Sequence, residues 1–279
     1  MGRARRTLAI VALTATLVSC NGPIVPASTP TTTGDSLHML TTSATLPLAA
    51  ELVNTYSQSH HLPGIDIRSG NYEALAANIN TEHAPYILTH YLPADSPFWA
   101  APIGQDGIAV IAHPSIDITN LSEAQLRDIY QGRINRWESL GGPDAEIVVF
   151  SRENGSGTRS VFQRLVMGRR QTTPNAVIAL SSEQMLHAVS QTAYSIGYIS
   201  GGYLNSSDSS SVHMLTINNV PLSAQNVATS RYPLRTTLFI AGVEDPTGVY
   251  RAFIGWLQSA EGQAVVANHY VPLVISEDG

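Results

Sequence analysis

Apolar residues occur along the chain in two patterns: short continuous runs, and longer stretches in which they recur every three or four residues. The continuous apolar run at residues 107–112 predicts a buried strand, and further short strands are predicted at residues 36–40, 64–68, 86–88, 146–151 and 195–199. The recurring pattern predicts helices at residues 46–57, 72–79, 121–130, 157–167, 182–192, 247–259 and 261–268. Because strands alternate with helices, we expect α/β layers built on a largely parallel sheet.

The first residues have the composition of a targeting signal. Arg3, Arg5 and Arg6 precede a mostly apolar stretch at residues 7–18. A stretch of this length rises only about 18 Å as a helix, which is short of the ~30 Å hydrocarbon core of a membrane. We therefore expect residues 1–19 to be a cleaved signal peptide rather than a spanning anchor.

Cys20 is the chain's single cysteine, so it has no partner for a disulfide within the chain. Residues 17–20 resemble the lipobox of bacterial lipoproteins, in which the cysteine is acylated and becomes the mature N-terminus. The resemblance implies that lipidated Cys20 anchors the protein to the outer face of the cell membrane. The alternative is an ordinary secretory signal followed by a stray cysteine. Residues 20–35 are rich in Pro, Thr, Ser and Gly and are expected to form a flexible tether.

The charge balance narrows the choice of partners. The sequence contains 15 basic residues, all of them arginine, against 21 Asp and Glu. Without the three arginines of the signal peptide, the formal charge is −9. A nucleic-acid-binding protein usually carries a basic patch, and none is visible, so nucleic acid is not an expected partner. Any bound anion must be held by local hydrogen bonds and helix ends against an unfavourable overall field.

The segment 151–158 follows a predicted strand and opens a predicted helix. Gly155 and Gly157 allow a close approach of the backbone to a ligand. The first N–H groups of a helix have no partner within the helix and lie at the positive end of its dipole. Ser156 and Thr158 add hydroxyl groups, and Arg152 adds a planar, permanently charged fork. This combination predicts a cradle for an oxyanion.

The same segment does not match two other motifs, one that binds phosphate and one that catalyses acyl transfer. A P-loop requires a lysine, which the chain lacks. A nucleophile elbow requires a glycine at the position of Asn154. From the residues alone, an oxyanion loop and a plain strand-to-helix turn capped by Ser156 remain equally good interpretations.

The pattern Arg-x-x-x-Ser-Gly-Thr at 152–158 resembles the anion loop of the PstS-type phosphate-binding proteins, which serve phosphate ABC transporters. Further stretches are similar to the same family in the same order along the chain. They lie at residues 43–47, 69–70, 126–137, 195–198, 232–234 and 259–273. In the first of them, the family usually has Gly-Ala-Thr-Phe-Pro where this chain has Ser-Ala-Thr-Leu-Pro.

This resemblance implies a two-lobed, type II periplasmic-binding-protein-like fold, in which each lobe is a mixed, mostly parallel sheet flanked by helices. Lobe I is expected to comprise residues 36–112 plus 213–279, and lobe II residues 113–212. The ligand is expected in the cleft between the lobes. The residues implied to bind it are Thr45, Leu46, Ser69, His90, Arg152, Ser156, Gly157 and Thr158.

Two positions depart from the family pattern. The family commonly has Asp where this chain has Asn154, and Asp or Ser where it has His90. In the family, the aspartate at the second position accepts the proton of hydrogen phosphate, and such a carboxylate repels fully deprotonated sulfate. With both acids absent, we expect Arg152 to be less neutralised, and selection of phosphate over sulfate to be weaker or more pH-dependent. His90 either faces the anion, or points to solvent while a nearby hydroxyl serves instead.

The function implied by the resemblance is an exported, monomeric solute-binding protein that captures inorganic phosphate and delivers it to an ABC permease. No cofactor, metal ion or catalytic residue is expected. One alternative is a receptor or sensor for another tetrahedral oxyanion, such as sulfate. A phosphomonoesterase is a further alternative, but it requires a nucleophile with a base or a metal ion, and neither is recognisable in the sequence.

Overall fold

The structure is a computed structural model, and the residues that it describes are 37–61, 66–79 and 85–273. The expected signal peptide, Cys20 and the tether lie outside these residues. None of the helices in the described ranges is long and apolar enough to cross a membrane.

Ten strands in the described part of the chain form one sheet. They are β1 (His38–Thr42), β2 (Asp66–Gly70), β3 (Tyr86–Thr89), β4 (Trp99–Ala112), β5 (Asn120–Leu121), β6 (Val148–Arg152), β7 (Val177–Ala179), β8 (Ser195–Ser200), β9 (His213–Ile217) and β10 (Arg235–Gly242). Their order is β2-β1-β3-β10-β4-β8-β6-β7, and β9 pairs with both β4 and β5. The pairs that involve β10 or β4 are antiparallel, and the other pairs are parallel. The prediction of α/β layers on a mostly parallel sheet is confirmed.

The helices alternate with these strands along the chain. They are α1 (Leu46–His60), α2 (Tyr72–Asn78), α3 (Glu123–Tyr130), α4 (Gly157–Phe162), α5 (Ser182–Gln191), α6 (Gly201–Asn205), α7 (Ala224–Ala228), α8 (Gly248–Gln258) and α9 (Ala260–Ala267). A π-helical turn, Gln163–Met167, continues α4.

Serine residues set the start of many of these helices. Each accepts a hydrogen bond from the backbone N–H three residues on, which satisfies a donor that has no partner within the helix. The capping serines are Ser122, Ser156, Ser181, Ser200, Ser223 and Ser259. The N-terminal ends of the helices are therefore fixed locally by sequence.

Strand β4 passes from one hydrophobic core to the other. Ala101 and Ile103 belong to a core that includes residues from α1, β10, α8 and α9. Ile108 and Val110 belong to a second core, which includes residues from α3, β6, α4 and β8. Successive side chains of a strand point to opposite faces, and Ala109 accordingly packs on the other face of the sheet. One strand thus connects two halves that have separate interiors.

The two cores divide the chain at places other than the expected lobe boundaries. Residues 108–112, β9 and residues 227–234 all contribute to the second core, although they were expected in lobe I. The first core resumes at Leu238 on β10. The cause is the length of β4, because its last residues pair with β8 and β9 rather than with β10.

The packing of α5 on β8 gives a test of this arrangement. A Cβ atom added at Gly197 would lie 2.6 Å from Sδ of Met185 and 2.7 Å from Cγ2 of Val189. We expect Gly197→Ala to lower the free energy of unfolding by about 1–3 kcal/mol, since overpacking must displace α5. Urea unfolding followed by circular dichroism measures the change.

Gly255 provides the matched control. It lies on the exposed side of α8, and an added Cβ would meet no atom within 4 Å. Gly255→Ala should raise stability by up to about 1 kcal/mol, because alanine has the higher helix propensity. Equal effects of the two substitutions would contradict the packing described for Gly197.

Candidate functional site

The segment expected to hold an oxyanion connects β6 to α4. Gly155 has a φ of +79°, a conformation that favours glycine, and it turns the chain between the two elements. Ser156 caps α4 by accepting a hydrogen bond from the N–H of Arg159 at 3.3 Å. Gly157 and Thr158, the first residues of the helix, are buried. The segment therefore has the strand–turn–helix form that anion binding at a helix N-terminus requires.

Arg152 is the most deeply buried charge of this segment, with 2% of the residue exposed. Its Nε and Nη2 donate to the two carboxylate oxygens of Glu153 at 2.9 and 3.1 Å. Its Nε also lies 3.2 Å from the carbonyl oxygen of Ala179. The expectation that Arg152 is less neutralised is wrong. The neighbouring Glu153 supplies the carboxylate that Asn154 does not.

The remaining donors of Arg152 face two hydroxyl groups. Its Nη2 lies 3.2 Å from Oγ of Ser43, and its Nη1 lies 3.4 Å from Oγ of Ser182. The N–H of Ser182, the first residue of α5, also points at Ser43 Oγ at 3.4 Å. Ser43 lies three residues before α1. The guanidinium therefore faces the N-terminal ends of α1 and α5, each of which carries the positive end of a helix dipole.

Thr45 occupies the position before α1 and is fully buried. Its Oγ1 donates to the carbonyl oxygen of Leu88 at 2.9 Å and lies 2.9 Å from the hydroxyls of Thr41 and Thr42. Leu46 is the first residue of α1 and is 38% exposed. The hydroxyl of Thr45 thus fixes the loop that presents the N-terminus of α1.

Ser69 differs from the other expected ligand-binding residues. It lies on β2, at the edge of the sheet, in register with Thr41 of β1. Its side chain is exposed, whereas Thr45, Arg152, Ser156 and Thr158 are buried. The structure therefore leaves Ser69 outside the buried cluster that Arg152 organises.

His90 is buried, with 1% of the residue exposed, so the alternative that it points to solvent is wrong. Its Nε2 lies 3.1 Å from Oγ1 of Thr158. Its Nδ1 lies 3.2 Å from Oδ2 of Asp106, close enough for an ion pair, although the angle falls outside hydrogen-bond geometry. His90 thus contacts both a buried carboxylate and the segment 152–158, which we call the anion loop after the family feature that it resembles.

Asp106 is held by three donors in addition to its contact with His90. Oγ of Ser200 donates to its Oδ2 at 2.6 Å, and the N–H groups of Gly107 and Gly202 donate to its Oδ1 at 2.7 and 3.2 Å. In all three contacts a carboxyl oxygen of Asp106 is the acceptor. Asp106 lies on β4 between the residues of the two cores.

The two halves of the chain touch at the anion loop. The N–H of Glu73 donates to the carbonyl oxygen of Gly155 at 3.1 Å, and Nδ2 of Asn71 donates to that of Asn154 at 3.2 Å. A Cβ atom added at Gly157 would lie 3.1 Å from Cβ of Tyr91. These contacts, together with the one between His90 and Thr158, join the two halves at this segment.

Comparison with known proteins identifies a family. The family described as the PBP superfamily domain matches residues 26–261. The chain belongs to this superfamily.

Curated relatives in the PBP superfamily include phosphate-binding proteins named PstS. The protein from Borreliella burgdorferi is 29% identical over 171 residues, which cover 58% of this chain and 61% of the relative. The protein from Bacillus subtilis is 28% identical over 169 residues, which cover 60% of this chain and 55% of the relative. The chain therefore matches little more than half the length of these relatives.

Solved structures extend the similarity over most of the chain. A Clostridium perfringens protein, described as a phosphate ABC transporter substrate-binding protein and solved with bound phosphate, has a TM-score of 0.79 and 28% identity. The alignment covers 86% of this chain and all of that one. A phosphate transport receptor from Vibrio cholerae, with a TM-score of 0.70 and 22% identity over 85% of this chain, shares the fold.

The sequence pattern did not single out several residues of this PBP-superfamily site. Ser43 and Ser182 resemble any serine near a helix start, and nothing in the motif marks Glu153 as the partner of Arg152. Asp106 carried the clearest signal, because it is a carboxylate placed directly before a continuous apolar run. No group of three or more metal-ligating side chains was found among the described residues.

Tyr198 packs against residues at both ends of the anion loop. Its ring stacks on Phe162 with centroids 4.0 Å apart, and its hydroxyl lies 3.0 Å from Oγ of Ser151. The hydroxyl also accepts a hydrogen bond from the N–H of Arg152 at 3.2 Å. Burial raises the pKa of Tyr198, so the phenol stays neutral in these contacts at ordinary pH.

We expect Tyr198→Phe to lower the free energy of unfolding by about 1–3 kcal/mol, because it leaves the buried N–H of Arg152 without its partner. Chemical denaturation gives the value. The control is Tyr194→Phe at an exposed tyrosine, which should change stability by less than about 0.5 kcal/mol. A cost at Tyr198 no larger than that at Tyr194 would contradict a supporting role.

Proposed function

We propose that this chain is a solute-binding protein that captures inorganic phosphate in the cleft between two lobes and delivers it to an ABC permease. The observation that carries the proposal is a buried guanidinium, Arg152, whose donors face Ser43 just before α1 and Ser182 at the start of α5. The phosphate-binding relatives and the phosphate-bound structural neighbour support the choice of ligand.

The two hydrophobic cores support the division into lobes. We assign to lobe I residues 37–103 and 238–273, whose described parts contain the first core, and to lobe II residues 108–234, which contain the second. Phosphate would lie between Ser43, Thr45 and Leu46 of lobe I and the anion loop of lobe II. Ser69 is omitted from this set because its side chain is exposed.

The site would hold a dianion by directed hydrogen bonds rather than by net charge. Removing a dianion from water is costly unless donors replace the lost water molecules. Ser156 accepts from the N–H of Arg159, so its own proton is free for a ligand oxygen. Ser43 accepts from both Arg152 and the N–H of Ser182, and its proton is free in the same way. Such a site is compatible with an acidic protein.

Location and assembly complete the proposal. We place the mature chain outside the cytoplasm, attached through lipidated Cys20, as the lipobox-like residues 17–20 suggest. Phosphate and a membrane permease are the proposed partners, and the chain would act as a monomer.

Isothermal titration calorimetry with inorganic phosphate tests the binding function. Arg152→Lys keeps a positive charge but loses the fork that bonds two oxygens at once, so we expect the Kd for phosphate to rise on the order of 100-fold. Arg136→Ala, at an exposed arginine paired with Asp144, should leave the Kd unchanged.

Thermal unfolding of each variant separates a loss of affinity from a loss of fold. Wild-type affinity in a folded Arg152→Lys protein would show that the anion does not bind at this arginine.

The same samples test the enzymatic alternative. Thr158, His90 and Asp106 lie in series, which is the order of a nucleophile, a base and a carboxylate in hydrolase triads. We expect no release of p-nitrophenol from p-nitrophenyl phosphate, because the relatives are named as binding proteins. Turnover that disappears in Thr158→Val would instead identify an esterase.

A further inference from the structure

We propose that Asp106 and His90 fix the direction of the Thr158 hydroxyl proton, and that this direction selects hydrogen phosphate over sulfate. The inference rests on the proposed function, because it concerns the same anion site. Neither the carboxylate nor the imidazole touches the anion in this proposal. They act as positioning residues, and the hydroxyl of Thr158 is the group that contacts the ligand.

The first step concerns Asp106. Its Oδ1 accepts from two backbone N–H groups and its Oδ2 accepts from Oγ of Ser200. A carboxylate held in this way has only lone pairs to offer to a further neighbour. Since Nδ1 of His90 lies 3.2 Å from Oδ2, a lone pair on that nitrogen would be repelled. Asp106 therefore favours the tautomer in which Nδ1 carries the proton.

The second step concerns Thr158. With Nδ1 protonated in a neutral imidazole, Nε2 is an acceptor. Its partner at 3.1 Å is the hydroxyl of Thr158, which has one proton to donate. That proton points to His90, so Oγ1 presents only lone pairs toward the anion. Hydrogen phosphate can donate its proton to such an oxygen, whereas sulfate has none and is repelled.

Protonation of His90 reverses this arrangement. The charged imidazole donates from Nε2 as well, so Oγ1 of Thr158 becomes the acceptor and its proton turns toward the ligand. Sulfate then gains a hydrogen bond in place of a repulsion. Sulfate affinity is consequently expected to rise as the pH falls.

Other charged and titratable groups lie around this pair. Burial raises the pKa of Tyr232 and of Tyr270, so both phenols stay neutral beside Asp106. Nη2 of Arg164 reaches Oγ1 of Thr236, which in turn donates to the carbonyl oxygen of His90. The remaining groups are Arg152 and Arg159 of the anion loop and the adjacent Tyr91.

Asp106→Asn is the decisive variant. The amide oxygen can keep the two backbone N–H donors, which places the NH₂ group opposite Nδ1 of His90. The imidazole must then accept at Nδ1 and donate from Nε2, which turns the Thr158 proton toward the ligand at every pH. We expect sulfate affinity at pH 8 to rise at least about 10-fold, and phosphate affinity to fall.

Calorimetry with sulfate and with phosphate at pH 8 and pH 5.5 measures these changes. Sulfate is the informative ligand, because its own charge does not change between the two pH values. Asp144→Asn, at an exposed carboxylate of lobe II, controls for the loss of a negative charge and should behave as the wild type.

Wild-type protein tests the idea even if Asp106→Asn does not fold. Its sulfate affinity should rise from pH 8 to pH 5.5, and Thr158→Val should remove most of that rise. A pH-independent sulfate affinity in the wild type, or an unchanged ratio of the two affinities in folded Asp106→Asn, would overturn the inference while leaving the proposed function intact. If the wild type binds neither anion, the proposed function itself fails.

Discussion

A guanidinium that is almost fully buried needs hydrogen-bond partners within the protein, because it is not deprotonated. Arg152 meets this constraint with the carboxylate of Glu153, the carbonyl oxygen of Ala179 and the hydroxyls of Ser43 and Ser182. Apart from the adjacent Glu153, these partners belong to β7, to the loop before α1 and to the first turn of α5. The requirements of one charge thus bring together elements that lie far apart in sequence. An anion bound there would give the guanidinium an oppositely charged ligand in addition to these neutral hydroxyls.

A second buried charge depends on the path of β4. Because this strand runs from one core into the other, its middle lies where the two halves meet, and Asp106 occupies that position. His90 approaches from the end of β3 and contacts both Asp106 and Thr158 of the anion loop. Truncating one member of a buried ion pair costs more than the pair contributes, so both pairs are expected to tolerate little change.

The sequence predicted the longer helices, in which apolar positions recur every three or four residues, such as α1, α5 and α8. It did not assign β10, although this strand lies in the middle of the sheet between β3 and β4. Its segment Arg235–Gly242 carries threonines as well as apolar residues, and its burial follows from its neighbours rather than from its own composition. The sequence also did not predict that β4 begins at Trp99, because the burial of its first residues likewise follows from their neighbours.

The backbone conformation of the site could be predicted from the motif. The contacts that its side chains make could not. The strand, turn and helix around 152–158 could be read from glycines and a capping serine. That Glu153 rather than residue 154 would pair with Arg152 depends on side-chain direction at the end of β6. The exposure of Ser69 depends on the edge position of β2, which no residue of the motif encodes.

A hydroxyl group can donate or accept a hydrogen bond. At an anion site, its hydrogen bonds to the protein determine whether its proton is available to the ligand. Ser43 and Ser156 both accept from N–H groups of the protein, so their protons remain available to a ligand whatever the pH. Thr158 differs from them because its partner is an imidazole, whose role changes with protonation. An acidic protein that must hold a dianion gains little from added positive charge, since each buried cation needs a counter-ion of its own, as Arg152 does. The direction of each hydroxyl proton is therefore the property by which such a site can distinguish anions of the same shape.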